Sequence, residues 1–259
     1  MSAAGPQLIS SRDNALLKDL RRLAQDSTAY RKQGRVWLEG DHLCGAALAR
    51  GVKPVLAVFS EAFWPSAQAQ WAGAAGKNIV VADALFAGLS GLESPAPLAF
   101  VIDLPPAPAL DPHAPSVILD RLQDAGNVGA ILRSAGAFGF HQVIALKGTA
   151  ALWSPKVLRA GMGAHFGLRL IDGAGPALLS ELAVPILTTS SHHGNPVHRA
   201  PLPWPCAWAL GHEGQGVGDA VGSLAARSVR IAQPGGEESL NVACAAAICL
   251  HASACAHAG

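Results

Sequence analysis

A chain of 259 residues, half of them hydrophobic and 14% charged, can fill one large core or two modest ones and is too apolar to be disordered. No apolar run approaches the roughly 18 to 20 residues of a membrane span. The opening MSAAGPQLISSRDN lacks a charged segment leading into an apolar one, so no secretory signal is expected and a cytoplasmic location follows. The net charge of +1 does not mark a nucleic-acid binder, but its distribution is uneven.

Residues 1–35 hold seven basic groups (Arg12, Lys18, Arg21, Arg22, Arg31, Lys32, Arg35) against three acidic ones, and Arg121–Arg169 hold six against Asp124 alone. Two basic patches in a near-neutral chain suit a polyanion held at a defined place; solvated helix faces are the plainer alternative. In chain order, Ser10 or Ser11 is placed to cap a helix whose apolar stripe is Leu16, Leu20 and Leu23, with Lys18, Arg21 and Arg22 facing water. A strand at Val36–Leu38, a helix at Leu43–Arg50 and strands at Val55–Phe59, Ile79–Val81 and Ala99–Ile102 follow. These make a small α/β domain over residues 1–103. Residues 104–115 carry five prolines in twelve positions and read as an extended, semi-rigid linker.

Residues 116–259 alternate short apolar runs with helical segments: Val117–Leu119, Val143–Leu146, Pro185–Thr188, Ala207–Leu210 and Val229–Ile231. Such alternation predicts a mostly parallel sheet covered on both faces. The stretch from Leu240 to about His257 is Ala-rich and almost uncharged, so a buried or interface helix is expected. The five cysteines form no C-x-x-C pair and read as buried free thiols. His192, His193 and His198 do not have zinc spacing, and no metal is expected.

Three glycine-bearing segments each follow a predicted strand. The first runs Asp120-Arg-Leu-Gln-Asp-Ala-Gly-Asn-Val-Gly-Ala-Ile-Leu-Arg133 and continues to Phe138-Gly139. Asn127 is placed to start a helix, and both it and Arg133 are expected near the cleft beyond the strand ends. Gly126-x-x-Gly129 matches neither G-x-G-x-x-G nor the P-loop, which argues against a nucleotide phosphate site. The second, Leu210-Gly-His-Glu-Gly-Gln-Gly-Val217, permits a tight turn and close backbone approach to a ligand, with Glu213 at its edge. The third, Ile231-Ala-Gln-Pro-Gly-Gly-Glu-Glu-Ser-Leu-Asn-Val242, runs into the last helix, where Ser239 or Asn241 can act as a cap.

In order and wording these segments resemble the three motifs of the SpoU (TrmH) family of RNA 2′-O-ribose methyltransferases, within the SPOUT superfamily. Leu152–Phe166 also looks like the family's segment between the first and second motifs. Ser10–Asn14 and Arg31–Gly40 resemble the substrate-binding domain of many members, so the likeness covers nearly the whole chain. The resemblance implies a C-terminal α/β domain with a deep trefoil knot and an N-terminal α/β RNA-binding domain contributing the seven basic residues above. It implies S-adenosylmethionine bound near Thr188, Gly211, Gly216, Ile231 and Leu240, and a homodimer paired through the C-terminal domain. Asn127, Arg133, Glu213, Ser239 and Asn241 would form the catalytic wall. The implied substrate is ribosomal RNA, with transfer RNA or a catalytically inactive RNA-binding relative as alternatives. A dehydrogenase-like enzyme is the reading outside the family and lacks its glycine fingerprint.

The family's matching arginine is proposed to activate the 2′-hydroxyl, but a guanidinium is a poor base, and gripping the adjacent phosphate is the preferred role for Arg133. Two departures stand out. Ile231-Ala-Gln233 replaces Ile-Pro-Met, and Asn241-Val-Ala243 replaces Asn-Val-Ser.

Overall fold

The structure, a computed structural model, describes residues 5–190, 194–235 and 239–258. The chain forms two compact units. One is the stretch up to Pro106 with Trp153–Phe166; the other is Ala107–Leu152 with the chain from Gly167 onward.

The first unit contains β1 (Gln7–Ile9), α1 (Ala15–Gln25), α2 (Ala29–Gln33), β2 (Arg35–Glu39), α3 (Asp41–Ala49) and β3 (Leu56–Ser60). It continues with α4 (Trp64–Trp71), β4 (Asn78–Val81), α5 (Asp83–Phe86) and β5 (Leu98–Asp103). Its strands order as β1-β4-β3-β5-β2, with β5 antiparallel to both of its neighbours and the others parallel. Leu17, Leu20 and Leu23 of α1 pack with Val58, Ile79, Val81 and Val101 on one face of this sheet. Two details of α1 differ from the sequence reading. Leu17, rather than Leu16, opens the buried stripe. The cap is Asn14, whose side chain accepts from the Leu17 amide at 3.3 Å, while Ser11 accepts from Asp13 within the preceding turn.

The second unit begins with β6 (Ser116–Asp120), α6 (Ala125–Ala137) and β7 (Gln142–Leu146). Helix α7 (Pro155–Gly161) then belongs to the first unit. It buries Val157 and Leu158 beside β2, and Arg159 pairs with buried Glu39 at 3.5 Å. This excursion lies inside the range 116–259 that sequence composition assigns to one domain; a segment with ordinary helix chemistry carries no local sign of which core it joins. The chain returns as β8 (Arg169–Ala174), β9 (Ile186–Thr189), β10 (Asn195–Pro196), β11 (Ala207–Gly211), α8 (Asp219–Gly222), β12 (Ala225–Arg230) and α9 (Val242–Ala258).

All seven strands are parallel, in the order β10-β12-β9-β11-β6-β7-β8. Their central members are buried on both faces, which explains their unbroken apolar sequences. Along β11, Ala207 and Ala209 join Ile118, Ile144 and Ile186 on one side. Trp208 is fully buried and donates its indole N–H to Ser253 of α9 at 2.9 Å. The proline-rich segment has no regular secondary structure, but it is pinned to this unit. Gln142 exchanges hydrogen bonds with the Asp111 backbone at 2.9 and 3.0 Å, and Arg169 donates to the Ala109 carbonyl. Cys44, Cys206 and Cys249 are buried free thiols as expected; Cys244 and Cys255 are exposed because the outer face of α9 carries them. No helix among the described residues is long and apolar enough to cross a membrane.

Candidate active site

Parallel strands bring their C-terminal ends to one edge of the sheet, where α/β proteins place ligands. Here the ends of β9, β11 and β12 open onto a cavity of about 640 Å³ lined by Thr189, Leu210–Val217, Ile231, Gln233 and Ser239–Val242. This is a usual size for a small-molecule site. Its shape depends on a close backbone approach. A Cβ on Gly211 would lie 2.0 Å from the carbonyl carbon of Gly216, so only glycine fits there. Gly216, at φ +69, turns the loop back so that its amide donates to the His212 carbonyl at 2.8 Å. His212 Nδ1 accepts from the Gly214 amide at 3.0 Å, a local turn bond that sequence reading had not anticipated.

Three residues from the three glycine-bearing segments meet beside this loop. Asn241 donates through Nδ2 to Asn127 Oδ1 at 2.9 Å, and Asn127 Nδ2 donates to Glu213 Oε1 at 3.2 Å. Glu213 also accepts from the amides of Gln123 and Asp124 at 3.4 and 3.3 Å. Burial alone would raise the Glu213 carboxyl. Its own amide, Asn127 and the amides of Asp124 and Gln123 outweigh that effect and hold it below the ordinary carboxylate range.

Asn127 does not start its helix. Asp124 caps α6, accepting from the Asn127 amide at 2.7 Å, which leaves the Asn127 side chain free for the chain of polar groups. Asn241 does double duty. Its Oδ1 caps α9 by accepting from the amides of Ala243 and Cys244 at 2.9 and 3.3 Å while its Nδ2 reaches Asn127. Because Ala243 takes part through its backbone, the missing hydroxyl at that position leaves the cap intact.

The sequence-predicted cofactor residues divide. Gly211, Gly216, Ile231 and Leu240 line the cavity, as do Glu213, Ser239 and Asn241, whereas Thr188 is buried within β9 and the next residue, Thr189, takes its place on the wall. Arg133 stands exposed on α6, and among the described residues it makes no hydrogen bond or ion pair to the Asn127 chain. His192, His193 and Gly236–Glu238 of the third segment lie outside the described residues. Sequence reading missed Asp120, Arg121 and Gln215. Asp120 and Arg121 read as an ordinary charged turn after a strand, and Gln215, uncharged between Gly214 and Gly216, carries no sign of its own.

The basic residues of the first unit are less concentrated. Lys18, Arg21 and Arg22, with Gln25 and Asp26, line a shallow groove along α1, and Arg21 Nε donates to the Gly88 carbonyl at 3.0 Å. Lys18 pairs with Asp13 at 3.4 Å, Arg35 with Asp103 at 3.8 Å, and Arg31 lies against Tyr30. Lys32 is exposed on α2, and Arg12 is exposed ahead of α1.

Residues 114–251 match the model of the SpoU rRNA methylase family. The chain belongs to this family. Among curated relatives, it is 29% identical to the 23S rRNA (guanosine(2553)-2′-O)-methyltransferase RlmP of Bacillus subtilis, over 94% of this chain and 97% of that protein. It is 31% identical to an uncharacterized tRNA/rRNA methyltransferase of Synechocystis sp., over 94% of this chain and 92% of the relative. Among solved structures, an RNA 2′-O ribose methyltransferase superposes with a TM-score of 0.80 at 29% identity, covering 97% of this chain and all of the other. The SpoU methyltransferase AviRb of Streptomyces viridochromogenes, solved with AdoMet, shares the fold at a TM-score of 0.84 and 22% identity, covering 95% of this chain and 98% of that one. All three glycine-bearing segments lie within the matched residues, and the polar chain joins one residue from each.

Proposed function

We propose that the protein is an S-adenosylmethionine-dependent methyltransferase acting on a ribose 2′-hydroxyl of ribosomal RNA. The observation that carries this reading is the Asn241–Asn127–Glu213 chain set against a cavity whose wall is glycine backbone. The residues present fit the cofactor. Gly211 and Gly216 leave backbone where side chains would intrude, and Gln233 Oε1 is a buried acceptor without a hydrogen-bond partner among the described residues, available to a bound donor. When bound, the cofactor would supply an electrophilic methyl on a sulfonium, whose S–CH3 bond breaks to leave a neutral thioether as that methyl passes to the ribose oxygen.

The chain's own contribution is placement. Asn127, locked in one amide orientation by a donor on one side and an acceptor on the other, presents a fixed dipole beside the cavity. Glu213 stays ionised and anchors that orientation. Arg133, exposed and always charged, suits a phosphate next to the reacting ribose better than it suits proton abstraction. Thr189 in place of Thr188, with Gly211, Gly216, Ile231 and Leu240, forms the cofactor wall.

The relatives' activity on 23S rRNA favours ribosomal over transfer RNA. The basic groove along α1 suits the backbone of that RNA, with Arg12, Arg31, Lys32 and Arg35 adding charge around it. The reading brings with it a cytoplasmic location, a knotted C-terminal domain and a homodimer. The strand order β12-β9-β11 and the packing of α9 against β11 support the knotted reading. The exposed face of α9, with Cys244, Ile248, His251 and Cys255 at helical spacing, offers an uncharged surface for a second copy.

The test is transfer of labelled methyl from S-adenosylmethionine to unmodified ribosomal RNA and to transfer RNA in separate reactions. Incorporation into ribosomal RNA that maps to a 2′-O-methylated nucleotide is expected. Incorporation into transfer RNA alone would reassign the substrate, and cofactor binding without transfer to either would point to an inactive relative.

A further inference from the structure

The loop that walls the cavity is tied down at a second place, away from Glu213. Arg121 follows the last residue of β6 and has φ +61, the left-handed region where glycine or asparagine is usual. That conformation turns its guanidinium onto its own neighbour. Nε donates to Asp120 Oδ1 at 3.0 Å and Nη2 to Oδ2 at 3.4 Å. Nη1 reaches across to the loop and donates to Gln215 Oε1 at 3.2 Å. Asp120, only 4% exposed, also accepts from the Gly218 amide at 2.7 Å.

The surroundings are built to admit this arrangement. A Cβ on Gly148 would come within 3.2 Å of Arg121 Cγ, and one on Gly218 within 2.8 Å of Nη2. The Arg121 amide donates to Thr149 Oγ1 at 3.1 Å, and that hydroxyl donates to the Leu119 carbonyl at 2.9 Å. An unfavourable backbone conformation is thus kept at a residue whose side chain links the end of β6 to both Gln215 and, through Asp120, Gly218.

We propose that Arg121 is a positioning residue for S-adenosylmethionine, holding the loop Gly211–Gly218 in its cofactor-ready shape through Asp120 and Gln215. The inference rests on the reading above that this cavity takes that cofactor. A loop with four glycines has many backbone states when untethered, and ordering them on binding lowers affinity. Glu213 fixes the loop's middle against Gln123 and Asp124; the Asp120–Arg121 pair fixes its far end. Removing the brace therefore acts on cofactor affinity before it acts on the chemical step.

The experiment is calorimetric titration of S-adenosylmethionine into the full chain and its variants, with melting temperatures and steady-state kinetics alongside. Arg121→Gly removes the side chain and tolerates φ +61 but leaves the buried Asp120 carboxylate without its cation. The double variant Arg121→Gly/Asp120→Asn, which removes that charge as well, is measured beside it and is expected to melt close to the parent. Its cofactor Kd and KM are expected to rise about tenfold with a smaller change in kcat, the loss of a charge-assisted fork. Arg121→Lys, a point charge that cannot make the fork, restores only part of the affinity. Gln215→Ala severs the loop contact and also trims a cavity-lining side chain, and it is expected to weaken binding at least threefold, roughly the loss of one hydrogen bond. An Arg121→Gly/Asp120→Asn protein that binds the cofactor within twofold of the parent overturns the inference, as does a loss of binding in that double variant matched by a lower melting temperature. A parent protein that fails to bind S-adenosylmethionine overturns the proposed function itself, which separates the two failures.

Discussion

The polar chain beside the cavity and the basic surface of α1 and α2 are built on opposite principles. Asn241, Asn127 and Glu213 are satisfied almost entirely by one another and by backbone amides, so each member's orientation is set by the next. The cations of α1, α2 and the start of β2 lie toward the surface, with partners such as Asp13 and Asp103 that are themselves exposed. A linked chain fixes geometry and should fail when any one member is lost. Scattered charge supplies attraction without register and should fail in proportion to the charge removed.

The sharpest way to break the first kind of site is through its backbone. Gly211→Ala drives a methyl to 2.0 Å from the Gly216 carbonyl carbon, where no flexible side chain can give way. The loop must move, so S-adenosylmethionine binding is expected to disappear, with stability lowered by about 1–3 kcal/mol from overpacking. Calorimetry and thermal melting read both effects; retained binding would mean that the loop does not form the cofactor wall. Asn127→Ala comes next. It strips a partner from Asn241 and from Glu213 together, and methyl transfer is expected to fall about 10- to 100-fold, the loss of roughly 1–3 kcal/mol of fixed polar contacts. Cofactor affinity should change far less, because Asn127 does not line the cavity.

Those two variants also mark how far the sequence could be read. The parallel sheet was legible because strands such as Val143–Leu146 are buried on both faces and therefore continuously apolar. Strand β8 was not, since Arg169, Asp172 and Gly173 give an edge strand with a register shift the chemistry of a loop. At the site, glycine spacing announced Gly211 and Gly216. The family resemblance singled out Asn127, Glu213 and Asn241, but their mutual hydrogen bonds join residues 86 and 114 positions apart and have no local sequence signature. Asp124 rather than Asn127 caps α6 for a related reason. Both residue types cap helices, and only the three-dimensional demand of Glu213 on Asn127 decides between them. Likewise, nothing in Pro155–Gly161 reveals that α7 packs with β2.

The second kind of surface should yield by degrees. Replacing Lys18, Arg21 and Arg22 by alanine removes three cations from the α1 groove. Affinity for ribosomal RNA is expected to drop, and the slope of log K against log salt to become shallower by about 2. The variant should keep its cofactor affinity, since none of the three lines the cavity. An unchanged salt slope would remove α1 from the RNA-binding surface. Arg21 is the member whose loss also carries a structural cost, through its bond to the Gly88 carbonyl, so Arg21→Lys serves as a control that keeps the charge.

The smallest expected effect is on pH dependence, and it tests the linked chain directly. Glu213 is held below its reference value of 4.5. A depressed carboxyl contributes stability that is fully present above the unfolded value and is lost as pH falls through the lower folded value. From neutral pH down to about 5 the contribution should therefore stay constant, and it should fade only in more acidic solution. Glu213→Gln has no carboxyl to protonate. Its melting temperature is expected to lie below the parent's near neutrality and to converge on it as acid removes the parent's advantage. A gap between the two that stays constant into acid would mean that Glu213 is not held as an anion by Asn127 and the amides of Gln123 and Asp124.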